Sequence, residues 1–258
     1  QITNYVRRTI LAESKSNDKY LGLTILGDYG TGKTQLLMFI KSILESLDEI
    51  QKMPHRPFIL YIDNPGSTLS ELISSIIAEI GHENIKKFIW NDLIKIMKTE
   101  LGENKFNKKF LINPDMFDDS NPWLDINIGS YKSFLNSCYK SFPNPVNLSR
   151  FKKDFVEYIF NVLISKHKDP YICNKLIDLL DEDIGIHKTW ASISIKGGKS
   201  IEKREVGFIK TIIHLLKANG FSHIYILVDE FEDITVGRLT KGQADNYLYN
   251  LRTLIDKE

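Results

Sequence analysis

The chain has little cysteine: Cys138 and Cys173 are its only two, far apart and in no metal-ligand spacing. That rules out a disulfide framework and makes a reducing compartment the simplest reading. It also lacks any apolar run approaching a membrane span and any signal-peptide pattern, so no membrane partner and a cytoplasmic location are expected. An excess of charge of one sign is missing too, with 34 Lys and Arg against 33 Asp and Glu, a formal net charge of +1. This gives no support to a polyanion-binding surface spread over the whole chain, while leaving a local basic patch open. The six histidines (His55, His82, His167, His187, His214 and His223) form no i,i+4 pair and have no cysteine close by, so a zinc site is not expected. No serine or cysteine sits in a recognisable nucleophile motif. Gln1 rather than Met stands first, which leaves the numbered chain open to being a fragment.

What is present begins with apolar content. Hydrophobic residues make up 42% of the 258 positions, enough for one large domain or one domain with a big insertion. The most informative stretch is Gly27-Asp28-Tyr29-Gly30-Thr31-Gly32-Lys33-Thr34, which fits G-x-x-x-x-G-K-[ST]. Before it, Leu21-Gly22-Leu23-Thr24-Ile25-Leu26 reads as a buried strand. After it, Leu36, Leu37, Ile40, Ile43, Leu44 and Leu47 fall on one helix face. Strand, glycine-rich turn and helix form the context of a phosphate-binding loop, or P-loop, whose backbone N–H groups cradle an anion at the positive end of a helix. The cofactor-binding candidates are therefore Gly27, Asp28, Tyr29, Gly30, Thr31, Gly32, Lys33, Thr34 and Gln35. Lys33 is expected to reach the β- and γ-phosphates of ATP, and the Thr34 hydroxyl to ligate Mg²⁺. A chance glycine-rich turn is the bland alternative, and both flanks speak against it.

A second strand is expected at Phe58-Ile59-Leu60-Tyr61-Ile62, ended by the turn sequence Asp63-Asn64-Pro65-Gly66. Thr68 and Glu71 have capping-box spacing. The helix they open carries Leu69, Leu72, Ile73, Ile76, Ile77 and Ile80 on one face and stops near Gly81. Strand, helix, strand, helix argues a parallel sheet covered by helices. From His82 to about Ile195 that alternation is lost. Helical stretches at Ile85–Leu101, around Phe151–Leu163 and at Tyr171–Leu180 are separated by Asn113-Pro114, Asn121-Pro122-Trp123 and Phe142-Pro143-Asn144-Pro145. The expected organisation is residues 1–81 as the first half of an ATPase core, 82–197 as a mostly helical insertion, and 198–258 as the continuation of the core. The aromatics of the insertion are read as its own small core, and Ile195-Lys196-Gly197-Gly198-Lys199 as a surface turn. Near the start, Ile2, Val6, Ile10 and Leu11 form a stripe; Tyr5, Val6 and Arg7 either wall an adenine or belong to a docking helix.

The core pattern resumes at Glu205 with Val206, Ile209, Ile212, Ile213 and Leu216, and Asn219-Gly220 supplies a helix stop. Ile224-Tyr225-Ile226-Leu227-Val228-Asp229-Glu230 follows, an apolar strand ending in two acids, where ligands sit in open α/β sheets. Asp229 is the second metal candidate, opposite Thr34. Glu230, with Lys33, is the catalytic candidate, orienting or deprotonating an attacking water. Glu232, Asp233 and the run Asp181-Glu182-Asp183 are read as solvated acids. Ala244, Tyr247, Leu248, Leu251, Leu254 and Ile255 are expected to face inward from a last helix. Arg238 and Arg252 are read as surface arginines, with a trans-acting finger as the sharper alternative.

These motifs resemble the AAA+ or additional-strand branch of P-loop ATPases, within it the initiator (origin-recognition) group and bacterial defence proteins such as those of BREX systems. Gly27 to Thr34 is similar to the G-[DE]-Y-G-[ST]-G-K-T loop of the defence group. Val228-Asp229-Glu230-Phe231-Glu232 resembles its Walker B end, and Asn246-Tyr247-Leu248-Tyr249-Asn250-Leu251-Arg252 the helix that follows in initiators. The resemblance implies an α/β P-loop sheet in order 5-1-4-3-2, ATP hydrolysis with Mg²⁺, and nucleotide held between subunits of a homo-oligomer or larger complex. It also implies two further strands and a helical lid, so sensor residues and the usual arginine finger are expected beyond Glu258 or in trans. The function expected is an ATPase that drives remodelling or translocation on DNA or a protein, in bacterial antiviral defence. The alternative is a STAND-type switch that assembles on ATP with slow or no turnover. A small-molecule phosphotransferase is disfavoured by Glu230 and by the lack of an acceptor site. Net charge lends no support to DNA as the partner.

Overall fold

Two five-residue strands, far apart in the chain, pair in parallel, and the helices of one half of the molecule gather round them. The computed structural model describes residues 4, 25–28, 30–46, 56–102, 120, 129–141, 145–180, 199–231 and 240–255. In chain order the elements are α1 (Lys33–Ser46), β1 (Phe58–Ile62), α2 (Leu69–Ile80), α3 (His82–Gly102), α4 (Tyr131–Ser141), α5 (Pro145–His167), α6 (Pro170–Leu180), α7 (Lys199–Ala218), β2 (Ile224–Val228) and α8 (Lys241–Ile255). The described structure is mostly helical with a two-stranded parallel sheet, an α/β architecture. The chain divides into two compact units, one made of Gln1–Ile80 with Gly198–Glu258 and the other of Gly81–Gly197.

In the first unit, β-branched and aromatic residues fill both strands, the types that fit a pleated and half-buried surface. The register runs from Phe58↔Ile224 to Ile62↔Val228. Two bonds extend it: the Phe58 N–H donates to the His223 carbonyl (2.7 Å) and the Asp229 N–H to that of Ile62 (2.8 Å). Side chains alternate along each strand. Ile59, Tyr61, Tyr225 and Leu227 thus share the face that packs with Ile40, Ile43 and Leu44 of α1. Leu60 and Ile62 point the other way and are buried, and α2 packs against β1. All six apolar positions that set the period of α2 are buried. α2 also meets α7 and α8, and these two meet each other.

The helix ends follow from local chemistry. Thr68 Oγ1 accepts the Glu71 N–H at 3.2 Å, but the Glu71 carboxylate reaches back to the N–H and hydroxyl of Ser67. The capping box expected at Thr68 is therefore displaced by one residue on its return arm. α7 ends in a Schellman motif: the Gly220 N–H bonds the Lys217 carbonyl (3.0 Å) and the Phe221 N–H that of Leu216 (3.2 Å). Gly220 has φ 90°, a conformation open to glycine because it has no Cβ.

Some expectations are corrected. α7 starts at Lys199, inside the stretch read as a turn and six residues before the apolar pattern. Leu26 is 89% exposed, and neither Ile25 nor Leu26 lies in a strand. Ile25 joins the α1 core while Leu26 does not, so the end of this run has one buried face rather than two. On α8, Tyr247 is buried but Leu248 is 41% exposed, because a neighbour on a helix is turned about 100° away. Residues 5–24, the acids Asp181-Glu182-Asp183, Glu232, Asp233 and Arg238 lie outside the described residues, as do the breakers around Pro114 and Pro122.

The second unit is built from α3 to α6. Asp169 caps α6, its Oδ1 accepting the N–H groups of Tyr171 (2.9 Å) and Ile172 (3.1 Å), with Pro170 in the first helical position where no N–H is needed. α5 and α3 both pack on α6. The aromatics pack on one another: Phe134 and Phe155 have ring centroids 4.8 Å apart, Phe151 and Phe155 5.6 Å, Trp90 and Phe134 5.6 Å. Across this core, Lys166 Nζ bonds both oxygens of Asp92 at 2.7 Å. Cys138 and Cys173 are buried free thiols, pushed up to about 12 and about 11 by burial. Among the described residues no helix is long and apolar enough to cross a membrane.

Candidate functional site

The glycine-rich loop enters α1 through two left-handed residues, Gly30 (φ 79°) and Gly32 (φ 83°), a backbone path that side-chain-bearing residues rarely follow. Thr31 closes the turn, its hydroxyl donating to the Asp28 carbonyl at 2.7 Å and its N–H to the same oxygen at 3.3 Å. The Gly32 carbonyl accepts the Leu36 N–H at 2.9 Å, so helical bonding begins within the loop. The space inside the turn is narrow: a Cβ on Gly27 would lie 2.5 Å from Thr31 Oγ1. Lys33 curls back over the loop, its ammonium donating to the carbonyls of Gly27 (3.0 Å) and Asp28 (3.1 Å). Gln35 is exposed on the first turn of α1, and Tyr29 lies outside the described residues.

The other half of the site comes from the sheet. Because the ladder continues to the Asp229 N–H, the Asp229 side chain falls on the same face as Tyr61, Tyr225 and Leu227, the face toward α1. Asp229 is 7% exposed. Its Oδ2 accepts the Tyr61 hydroxyl at 2.8 Å and its Oδ1 the Glu230 N–H at 3.0 Å, and Thr34 and the charge of Lys33 also act on the carboxylate. Burial alone raises the Asp229 pKa; Thr34, the bonds from Tyr61 and the Glu230 N–H, and the charge of Lys33 outweigh it and leave it below the ordinary value. The Tyr61 phenol is pushed up to about 12, first by burial, then by its bond to Asp229 and the charges of Asp229, Asp63 and Glu230. Glu230 is exposed and has φ 51°.

The fold thus gathers Lys33, Thr34 and Asp229, with Glu230 next in the chain and its side chain toward solvent. Arg252 is exposed on α8. Tyr61 is the member that reading the sequence missed. Its signal was faint: a tyrosine in alternation with Ile59, on a strand that gave no hint of its neighbour. Among the described residues no three His, Cys, Asp or Glu side chains come together as a metal cage. Thr34 and Asp229 instead offer two hard oxygen donors, with Thr34 acting on the Asp229 carboxylate, a set that suits Mg²⁺, which takes one or two protein ligands and keeps water and phosphate oxygens for the rest. A cavity of about 240 Å³ in the second unit, lined by Lys86, Lys87, Lys132, Trp90 and Tyr131 among others, holds none of the motif residues. Comparison with protein-family models, with curated proteins and with solved structures finds no match to this chain.

Proposed function

We propose that the chain binds ATP with Mg²⁺ through the Gly27–Thr34 loop and hydrolyses it, as an AAA+-like P-loop ATPase working in an oligomer. The observation that carries this is the convergence of two motifs far apart in sequence: the buried Asp229 at the end of β2 feels Thr34 and the charge of Lys33, beside a glycine loop over which that lysine curls back. A buried carboxylate kept ionised next to a hydroxyl and an ammonium needs a reason, and a cation with its phosphate supplies one. In this reading, Lys33 leaves the Gly27 and Asp28 carbonyls to pair with phosphate oxygens, an exchange of neutral acceptors for charged ones. Thr34 and Asp229 hold the cation. Mg²⁺, when bound, neutralises charge on the transferring phosphoryl group. Glu230, on the solvent side of the strand end, orients the attacking water and takes its proton.

The test is ATP binding and steady-state hydrolysis by the unaltered chain, Lys33→Ala and Glu230→Gln. Lys33→Ala should weaken ATP binding at least about 100-fold, the scale of losing charged hydrogen bonds. Glu230→Gln should bind ATP normally and hydrolyse it at least about 100-fold more slowly. Unchanged ATP affinity in the lysine variant would refute the site. Hydrolysis accelerated by DNA or by a protein substrate marks the turnover as remodelling or translocation.

A further inference from the structure

We infer that Tyr61 is a positioning residue for the cation-binding carboxylate of Asp229, an inference that rests on the ATP–Mg²⁺ reading above. The phenol reaches Asp229 through the sheet. Tyr61 sits opposite Leu227 in the parallel register, so the two side chains lie on one face and Asp229 is the next residue on that face of β2. The Tyr61 hydroxyl donates to Oδ2 at 2.8 Å while the Glu230 N–H donates to Oδ1 at 3.0 Å. One donor on each oxygen fixes the rotation of the carboxylate about its own axis. Each oxygen can still accept a second bond, which is what a metal-bound water or the metal itself requires. The ring is held as well as the hydroxyl: it belongs to the α1 core, and the Lys41 ammonium stands 5.8 Å from its centroid. Lys41 lies seven positions after Thr34, on the same side of α1. The helix that supplies the threonine therefore also pins the tyrosine. Tyr61 neither touches phosphate nor carries the charge; it decides where the charge points.

The experiment is calorimetric binding of ATP with magnesium varied, using the unaltered chain, Tyr61→Phe, Asp229→Asn and the double variant. Phe keeps the ring in the α1 core, so a thermal melt close to the unaltered protein is expected. Tyr61→Phe should raise the Mg²⁺ concentration for half-maximal ATP affinity about tenfold, the scale of one lost hydrogen bond to a charged group, and leave ATP affinity in excess chelator unchanged. In the Asp229→Asn background the same change should add little, because the two residues act as a unit. A Tyr61→Phe protein with the unaltered magnesium dependence overturns the inference while the ATP site stands. So does an equal loss in the presence and absence of Asp229. If the unaltered chain shows no magnesium-dependent ATP binding, both the inference and the reading beneath it fall.

Discussion

Glu230 holds a left-handed backbone conformation, φ 51°, that costs an L-residue about 1–2 kcal/mol. Sites that keep such a residue are over-determined by their surroundings; here the Glu230 N–H is bound to Asp229 Oδ1, and Phe231 rests its ring 6.1 Å from that of Tyr247. Glycine takes this conformation freely but is more costly to order. Glu230→Gly is therefore expected to be more stable than Glu230→Ala by about 0.5–1 kcal/mol in urea unfolding, with both variants inactive as hydrolases. Equal stabilities would mean that the turn relaxes once the glutamate is gone. At this scale the sequence is informative where chemistry is local. Glycine spacing, the following lysine and threonine, and an acid pair closing an apolar run can all be seen in a few consecutive residues. Tyr61 cannot, because its bond to Asp229 is made by strand register, and register is a property of two segments at once.

Among the elements, α8 carries an anomaly. Tyr247 is buried, and its hydroxyl has no hydrogen-bond partner among the described residues. Burial, followed by the charge of Glu71 on α2, pushes the phenol up to about 12 from 10.0. A buried hydroxyl without a partner costs about 1–3 kcal/mol, so Tyr247→Phe should stabilise the fold, with gains toward the lower end as packing adjusts. The sign of the pH dependence follows from the raised value. The contribution of the neutral phenol is intact below pH 10 and is lost as pH rises through about 12. The Phe variant should therefore lose less stability across that window, as melting temperatures at a series of alkaline pH values would measure. α2 and α8 also show what periodicity can deliver. Six of six apolar positions on α2 are buried because both sheet and helices cover it. Leu248 on α8 is 41% exposed beside the buried Tyr247, because the next residue on a helix faces about 100° away. The early start of α7 escaped the pattern because Lys199–Arg204 offers little apolar stripe, yet its lysines, glutamate and arginine are good helix formers.

For the molecule as a whole, the useful fact is its division at Ile80/Gly81 and Gly197/Gly198. From its sequence the chain divides at 81/82 and 197/198, where strand–helix alternation is lost and then taken up again; alternation needs a sheet, and the stretch between has no strand among its described residues. Gly81–Gly197 contains all three tryptophans, Trp90, Trp123 and Trp190, so tryptophan fluorescence reports on that unit. Its ion pair offers a handle. The Asp92 side chain is 6% exposed and that of Lys166 37%, so removing the lysine strands a buried carboxylate, whereas removing the acid leaves an ammonium that water can reach. Lys166→Met should cost about 3 kcal/mol in fluorescence-detected urea unfolding and Asp92→Asn about 1 kcal/mol. Neither should alter ATP affinity; a large loss of affinity in either would mean that the two units share their stability. The parallel pairing of Phe58 with Ile224 has a consequence for how the protein is made. On the ribosome, β1 emerges before β2, its partner among the described residues, and waits for it while the whole of Gly81–Gly197 is synthesised. Closing so long a connection is slow, and it is eased when the intervening chain is already compact. Asp229 is synthesised after the whole of Gly81–Gly197, so its carboxylate joins the glycine loop only once that unit has had time to form.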